Sequence, residues 1–513
     1  MLKKAKLDFF LLGSALAVTL AGVLTLYSQE KVVEGGGSGI WFRQLVFFLI
    51  SLVVCLVIYR RVNYQRLSDI ALPFYLIAIL LLLVTLVPFI GTIKNGARSW
   101  IRFGGIGLQT SEVAKLALIV LLARYLELKE KEMDRIPTLL LAFAFTLLPM
   151  LLVVVQPDFG SAFIFAPILL TMLFMAGADI YHIGSVIVFF GLSLSIPLYI
   201  EYHKITLVDD LLRHLNELGK MDLAPAVRIL KSDIWNFLDL RVIPDHIKSG
   251  NDRSYLTGLA GNPNLFATLR EAGTSIQNDV GGLFLRLLRN KPLLLTLGSF
   301  MSVTAFVLAI VRFTQGPSLI RLRKYYIPLG VLGISLLTAV AVHATFSFKY
   351  YQVVRVTSFI NPDKFSRDEA YQILASKAAI GSGQIAGRGI FRGDMTMGER
   401  PLVPESSTDF IFTSWGERTG FLGSLIILIL LLAVPLRGLM ISFESRTRFG
   451  SLLAAGISSM IFYHIVFNAG IALGLLPVTG LPLSFMSYGG SHLFVCMIGV
   501  GILLSIHRRR FAN

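Results

Sequence analysis

The sequence predicts an all-α fold: a polytopic bundle of about twelve transmembrane helices with large loops on one side of the membrane. Three observations lead there. Hydrophobic residues fill 55% of the 513 positions and charged residues only 15%, more apolar surface than a water-soluble fold of this length can bury. Mean hydropathy is +0.71, and the apolar residues gather into about twelve runs near the roughly 20 residues that cross a hydrocarbon core. Finally, the cations flank those runs. That placement is the signature of a chain oriented in a membrane, so the net charge of +16 does not imply nucleic acid.

The runs centre on residues 10–27, 41–59, 71–90, 109–126, 137–155, 160–177, 182–200, 293–312, 326–345, 412–436, 449–472 and 488–506. The first follows Lys3, Lys4 and Lys6 and is long for the apolar core of a signal peptide, so it reads as a retained helix. Further clusters at Arg60, Arg61 and Arg66, at Arg321, Arg323 and Lys324, and at Arg508, Arg509 and Arg510 fit cytoplasmic loops. An even number of spans then puts both termini in the cytoplasm. On that count Lys94, Arg98 and Arg102 fall outside, against the charge rule, and invite a role in binding an anionic ligand; interfacial snorkelling is the alternative. Cys55 and Cys496 lie inside apolar runs and read as packing residues.

Composition divides the chain into N-terminal transmembrane helices (1–200), an inserted extracytoplasmic helical domain (201–292), further transmembrane helices (293–345), an extracytoplasmic loop (346–411) and C-terminal transmembrane helices (412–513). The insertion opens with Leu207, Leu211, Leu212, Leu215 and Leu218 at helical spacing, stopped by Gly219, and a second amphipathic stretch covers 226–240. His203, His214 and His246 share no helical spacing and read as surface histidines. In the later loop, the run from Gly381 to Gly389 matches neither a dinucleotide fingerprint nor a Walker motif. Its glycine N–H groups, with Arg388 and Lys377 nearby, offer a cradle for a pyrophosphate.

Several polar residues sit at or inside the apolar runs. Asp409 stands where the loop meets the 412–436 run, and a carboxylate at a membrane mouth is costly to desolvate, so its default reading is functional. Glu112 and Lys115 are three residues apart and share one helix face, which lets them neutralise each other; a purely structural pair accounts for them equally well. Thr110 or Ser111 would cap that helix. In Gln156-Pro157-Asp158-Phe159-Gly160 two runs meet with almost no loop, and Asp158 either caps the following helix or lines a cavity beside Asp409. Asn468, Pro477 to Pro482 and Ser487 to Ser491 interrupt the last runs, and irregular backbone at membrane depth must be buried or line a groove.

Together these blocks resemble the SEDS family (shape, elongation, division and sporulation), most closely its RodA-like elongation branch. The resemblance rests on Asn95 to Ile101, Gln109 to Lys115, Gln156 to Gly160, Ala379 to Phe412 and Pro477 to Ser491, in order along the chain. It implies a peptidoglycan glycosyltransferase that polymerises lipid II into glycan strands at the outer face of the cytoplasmic membrane. The essential aspartate carries over to Asp409, the outer-loop positions to Arg98 and Trp100, the paired charges to Glu112 and Lys115, and the cavity carboxylate to Asp158. The implied partners are a class B penicillin-binding protein, which supplies the transpeptidase, and the elongation machinery.

The chain departs from the family pattern in places. Ser407 replaces a common His, which removes an obligatory His partner for Asp409. Arg418 follows Glu417 where a second acid is usual, and Arg367 to Ala370 replaces a glycine-containing stretch. Family members usually have ten spans, so the insertion reads as part of an added hairpin with two extra spans. In the expected chemistry Asp409 is the general base, strengthened by partial desolvation, and Arg98, Lys377, Arg388 or a divalent cation (magnesium or manganese) stabilises the leaving pyrophosphate. No ligand spacing defines a metal site. A lipid II flippase or other transporter, a division-type (FtsW-like) paralogue and an envelope scaffold remain as alternatives.

Overall fold

A computed structural model describes residues 7–31, 39–94, 97–103, 106–133, 136–230, 251–279, 287–288, 290–315, 323–345, 369–398 and 401–510. All twelve predicted runs are helical. They fall in α1 (Phe9–Lys31), α2 (Ile40–Arg61), α4 (Ala71–Leu86), α5 (Thr110–Leu128), α6 (Ile136–Val155), α7 (Phe159–Ala176), α8 (Ile180–Glu217), α12 (Lys291–Gln315), α13 (Arg323–Thr345), α15 (Ile411–Glu444), α16 (Arg448–Ala472) and α17 (Gly490–Arg509). Shorter helices are α3 (Gln65–Asp69), α9 (Ala224–Leu230), α10 (Asn251–Gly261), α11 (Pro263–Asp279) and α14 (Glu369–Ser382). Among the described residues, ten helices are long and apolar enough to cross a membrane. Of the other two runs, α4 is shorter, and α5 carries Glu112, Lys115, Arg124 and Glu127.

The chain forms two compact units, residues 1–183 with 358–513, and residues 184–357. In the first, α16, α17 and α5 are the most enclosed helices, and small residues let backbones approach one another. A side chain on Gly22 of α1 would collide with the backbone of Met486, and one on Gly456 of α16 would meet Ile119 and Met172. Without a hydrophobic drive between helices in lipid, such close packing is what holds them together. Leu49, Val53 and Val57 of α2 face outward, as lipid-facing positions should.

One region of the first unit is not helical. Residues 91–109, expected as an outer loop, form a three-stranded antiparallel meander: β1 (Gly91–Lys94), β2 (Ala97–Phe103) and β3 (Ile106–Gln109). Trp100 pairs with Thr92 on one side and Gln109 on the other. Asn95-Gly96 between β-prone stretches is the hairpin signal that marks it.

In the second unit α8 runs unbroken through the composition boundary at 200/201. Leu211 and Leu215 of its polar half pack with Leu223, Val227, Leu256, Phe266 and Leu269 into a separate small core. α12 and α13 lie together at a glycine crossing, where a side chain on Gly333 would sit 2.8 Å from Gly298 O. His203 is buried, not at the surface, with its ring edge-on to Tyr199 at 4.3 Å. Residues 231–240 of the second amphipathic stretch, His246, the Lys3, Lys4 and Lys6 cluster, Arg321 and Arg367 lie outside the described residues.

At the opposite end of the chain's first helix, Asp8 joins α1 to α15. Its carboxylate accepts from Leu11 N at 3.0 Å and pairs with Arg437 at 2.6 Å, and Arg437 reaches on to Glu444 at 3.2 Å. Burial pushes the Asp8 carboxyl up, but the Leu11 N–H and the Arg437 guanidinium outweigh it and hold it below the usual carboxylate range. A depressed carboxyl stabilises the fold above its unfolded-state value and loses that contribution as pH falls through the folded one. Thermal melts in detergent from pH 6 to 3 should therefore show a steeper fall for the parent than for Asp8→Asn, with the difference confined to below about pH 4. Parallel curves would remove Asp8 from the acid response.

Candidate active site

Asp409 ends an irregular turn immediately before the N-terminus of α15. Four consecutive carbonyls of that turn are each held from elsewhere. Ser406 O accepts from Ser414 Oγ at 2.9 Å and from Gln29 Nε2 at 3.3 Å. Ser407 O accepts from Tyr488 N at 3.0 Å, Thr408 O from Ser487 Oγ at 2.6 Å, and Asp409 O from Asn468 Nδ2 at 2.7 Å. Buried carbonyls outside helix or sheet must find such donors. The turn also contains Glu405 at φ 52, and the facing loop contains the buried Phe485 at φ 67. Left-handed backbone at non-glycine residues costs on the order of 1–3 kcal/mol each and persists only where surrounding contacts fix it. The Asp409 side chain is half-buried, and Gly480 lies against it: a Cβ there would sit 3.4 Å from Asp409 Oδ2.

That facing loop, residues 477–487, also meets the first turn of α7, at Gly160. Gly160 packs so closely on Thr479 that any side chain would collide with the Thr479 carbonyl. Asp158 caps α7, with Oδ1 accepting from Ser161 N at 3.1 Å, and its Oδ2 accepts from Gln109 Nε2 at 3.1 Å. Both oxygens thus have structural partners. Gln109 is the β-sheet neighbour of Trp100, and the Arg98 N–H donates to Gln156 O at 3.2 Å. The sheet therefore sets Arg98, Trp100 and Asp158 around one end of the bundle.

The glycine run is not a phosphate cradle. The N–H groups of Gly383, Gln384, Gly387, Arg388 and Gly389 donate to carbonyls of Ile380, Gly381, Gly383, Glu417 and Arg418. The last two bonds dock the run on α15, which is kinked at Gly420 (φ 66), and the Phe421 and Leu422 N–H groups return to Gln384 and Ile385. A loop whose donors are spent on a helix has few left for an anion. The Arg388 guanidinium pairs with Asp394 and also donates to Ser382 O at 3.3 Å. Lys377 is exposed on α14, its ammonium end lying over Gly474 at the end of α16. Glu417 accepts from Met395 N, Thr396 N and Thr396 Oγ1, at 2.9, 3.1 and 2.6 Å, and so anchors the loop from its underside. Arg418 is buried beside it and donates to Thr25 O and Ser28 Oγ of α1 at 2.8 and 2.7 Å.

Glu112 and Lys115 form the buried pair that their spacing implies, at 2.8 Å, and two histidines complete it. Lys115 Nζ lies 2.8 Å from His464 Nε2, His492 Nδ1 lies 3.0 Å from Glu112 Oε2, and the two imidazole rings are 4.4 Å apart. His464 Nδ1 reaches Pro482 O at 3.2 Å. Neither Thr110 nor Ser111 caps α5; Gln109 occupies the N-cap position, and both hydroxyls are buried without a partner. His464 and His492 escape a local reading because 349 and 380 residues separate them from their partners. Glu112, His464 and His492 present ligand atoms within 4.8 Å of one another, the one such grouping found among the described residues. The Lys115 ammonium already stands between two of these ligands.

Removing one member of this cluster leaves a buried charge uncompensated, at a cost of about 3–5 kcal/mol. Glu112→Gln and Lys115→Met should each lower the detergent melting temperature, and the double substitution should recover part of the loss. Singles that melt like the parent but abolish activity would assign the pair to the chemistry instead.

The family model described as "Cell cycle protein", built on FtsW, RodA and SpoVE proteins, matches residues 8–220 and 293–511. The part it omits lies within the predicted insertion. The chain is 30% identical over 506 residues to the "Peptidoglycan glycosyltransferase RodA" of Treponema pallidum, covering 98% of each chain. It is 25% identical over 507 residues to the "Probable peptidoglycan glycosyltransferase FtsW" of Trichlorobacter lovleyi, covering 98% of this chain and 93% of that one. Its fold is similar to that of a chain in a structure described as "Structural coordination of polymerization and crosslinking by a peptidoglycan synthase complex", with TM-score 0.58, 21% identity and 99% of each chain covered. With the family model matched on both sides of the insertion and a relative aligned over nearly its whole length, the chain belongs to the FtsW, RodA and SpoVE family, the SEDS proteins its motifs resemble.

Proposed function

We propose that this protein is a peptidoglycan glycosyltransferase that polymerises lipid II into glycan strands for cell-wall elongation and cell-shape maintenance. The observation that carries the reading is Asp409: a carboxylate at the mouth of a spanning helix, on a turn pinned at four successive carbonyls. A fixed carboxylate is what a positioned general base requires. Its relatives named as peptidoglycan glycosyltransferases support the substrate class. The higher identity to the RodA relative than to the FtsW one favours elongation over division.

In the proposed reaction Asp409 takes the proton from the acceptor 4-hydroxyl while the bond to the lipid pyrophosphate breaks. Arg98, Lys377 and the donors of Arg388 beyond its Asp394 pair offset the leaving charge. Trp100 offers an aromatic face to the sugar, and Asp158 shapes the wall as a helix cap. Asp409 belongs to no preformed ligand cluster among the described residues. One carboxylate with substrate phosphates is nevertheless a common way to hold magnesium. Asp409 or Asp158 would hold a magnesium or manganese ion, which when bound would neutralise pyrophosphate charge. The protein sits in the cytoplasmic membrane with both termini inside and Asp409 at the outer face. A class B penicillin-binding protein is its transpeptidase partner within the elongation machinery.

The direct test incubates the purified protein, with its partner, with lipid II and measures glycan polymer. Asp409→Ala and Asp409→Asn should each lose polymerisation by at least a factor of about 100, within the range general-base removal produces, while expressing and folding like the parent. Substantial polymer from folded Asp409→Asn protein excludes the base; lipid II flipping without polymerisation by the parent would favour a transporter.

The insertion should be dispensable for the chemistry, because its apolar residues serve their own small core. Replacing residues 201–292 by a short Gly/Ser linker should preserve polymerisation in vitro and weaken partner-dependent control in cells. Impermeant thiol labelling of Ser249→Cys on intact spheroplasts checks its side of the membrane; labelling only after lysis would overturn the topology.

A further inference from the structure

Asn468 of α16 holds two walls of the candidate site with one amide group. Its Nδ2 donates to Asp409 O and to Leu481 O, each at 2.7 Å, and the side chain is fully buried. Leu481 follows Gly480, which lies against the Asp409 carboxylate. The same amide therefore fixes both the residue that carries the carboxylate and the loop that the carboxylate faces. The other three carbonyls of the turn are held by donors acting on neighbours of Asp409; Asn468 acts on Asp409 itself.

Packing does not explain the choice of residue. Asn468 Oδ1 is buried and has no hydrogen-bond partner, an expensive arrangement for an amide. A leucine would fill a similar volume without that unsatisfied oxygen. What a leucine lacks is the pair of donated bonds. One turn earlier on α16, His464 reaches the adjacent carbonyl, Pro482 O, at 3.2 Å and lies 2.8 Å from Lys115 Nζ. Loop 477–487 is thus gripped at two successive residues by side chains of a single, well-enclosed helix.

We propose that Asn468 is a positioning residue for glycosyl transfer: it sets the separation between the Asp409 turn and the Leu481 loop, and so the reach of the Asp409 carboxylate to the acceptor hydroxyl. This rests on the reading of Asp409 as the base. Small displacements of a catalytic group lower the rate steeply while leaving binding largely intact.

The test compares parent, Asn468→Leu, Asn468→Gln and Asp409→Asn, each purified with the partner protein. Polymerisation rate at saturating lipid II, lipid II binding stoichiometry and melting temperature are measured on the same samples. Asn468→Leu should lose at least tenfold in rate with parental stoichiometry and melting above the assay temperature. A merely structural role would instead lower rate and stoichiometry together, and that result overturns the proposal. Should Asn468→Leu fail to fold, Asn468→Gln decides, because it keeps both donors on a longer arm. A rate loss of threefold or more at parental stoichiometry supports positioning, and a parental rate refutes it. If Asp409→Asn is inactive while a folded Asn468→Leu works at the parental rate, the positioning role alone fails. If Asp409→Asn is fully active, the base and the positioning role fall together.

Discussion

The backbone of the 404–410 turn has neither helix nor sheet to satisfy it, and the site depends on how its carbonyls are satisfied. The four successive oxygens draw on three distant parts of the molecule: the end of α1, the Ser487-Tyr488 segment and the C-terminal end of α16. Little of that turn can move without unmaking a buried hydrogen bond, and each such loss costs about 1–3 kcal/mol. The result is an irregular segment with the fixity of a regular one. A carboxylate borne on a loop acquires a defined place relative to the bundle.

Those anchors are themselves anchored. Ser487, which holds Thr408 O, also accepts from Leu483 N at 2.8 Å, and the Ser487 carbonyl accepts from Gln44 Nε2 at 3.0 Å. The loop that carries them is tied through Pro482 to His464, and so to the buried charges of α5. Packing on Gly22 and Gly160 closes it from two further sides. The intramembrane ion cluster and the candidate site are therefore parts of one framework, although no residue of the cluster is placed on substrate.

Much of this was legible from the residues alone. The twelve apolar runs announced the helices because hydrophobic length is the dominant signal in a membrane chain. The i,i+3 spacing of Glu112 and Lys115 announced their pairing, and the position of Asp158 before α7 offered the cap as one of two roles. What stayed hidden depends on contacts across hundreds of residues. Nothing near His464 or His492 in sequence indicates Glu112 or Lys115. The glycine run 381–389 looked like an anion cradle because glycine spacing reports backbone freedom, not where the freed N–H groups point. The meander at 91–109 went unread because its strands are short and its hairpin signal sits among cations that drew a ligand reading. Arg418 registered as a departure from the family pattern, but its burial against α1 follows only from the way two distant helices cross.

The Lys115 ammonium, standing 2.8 Å from both Glu112 and His464, amounts to a counter-ion tethered to the chain. A dissolved ion in that position would exchange with the medium, compete with other metals and be stripped by chelators. A tethered one does none of these. The buried Glu112 carboxylate is thereby balanced by a charge that chelators cannot remove.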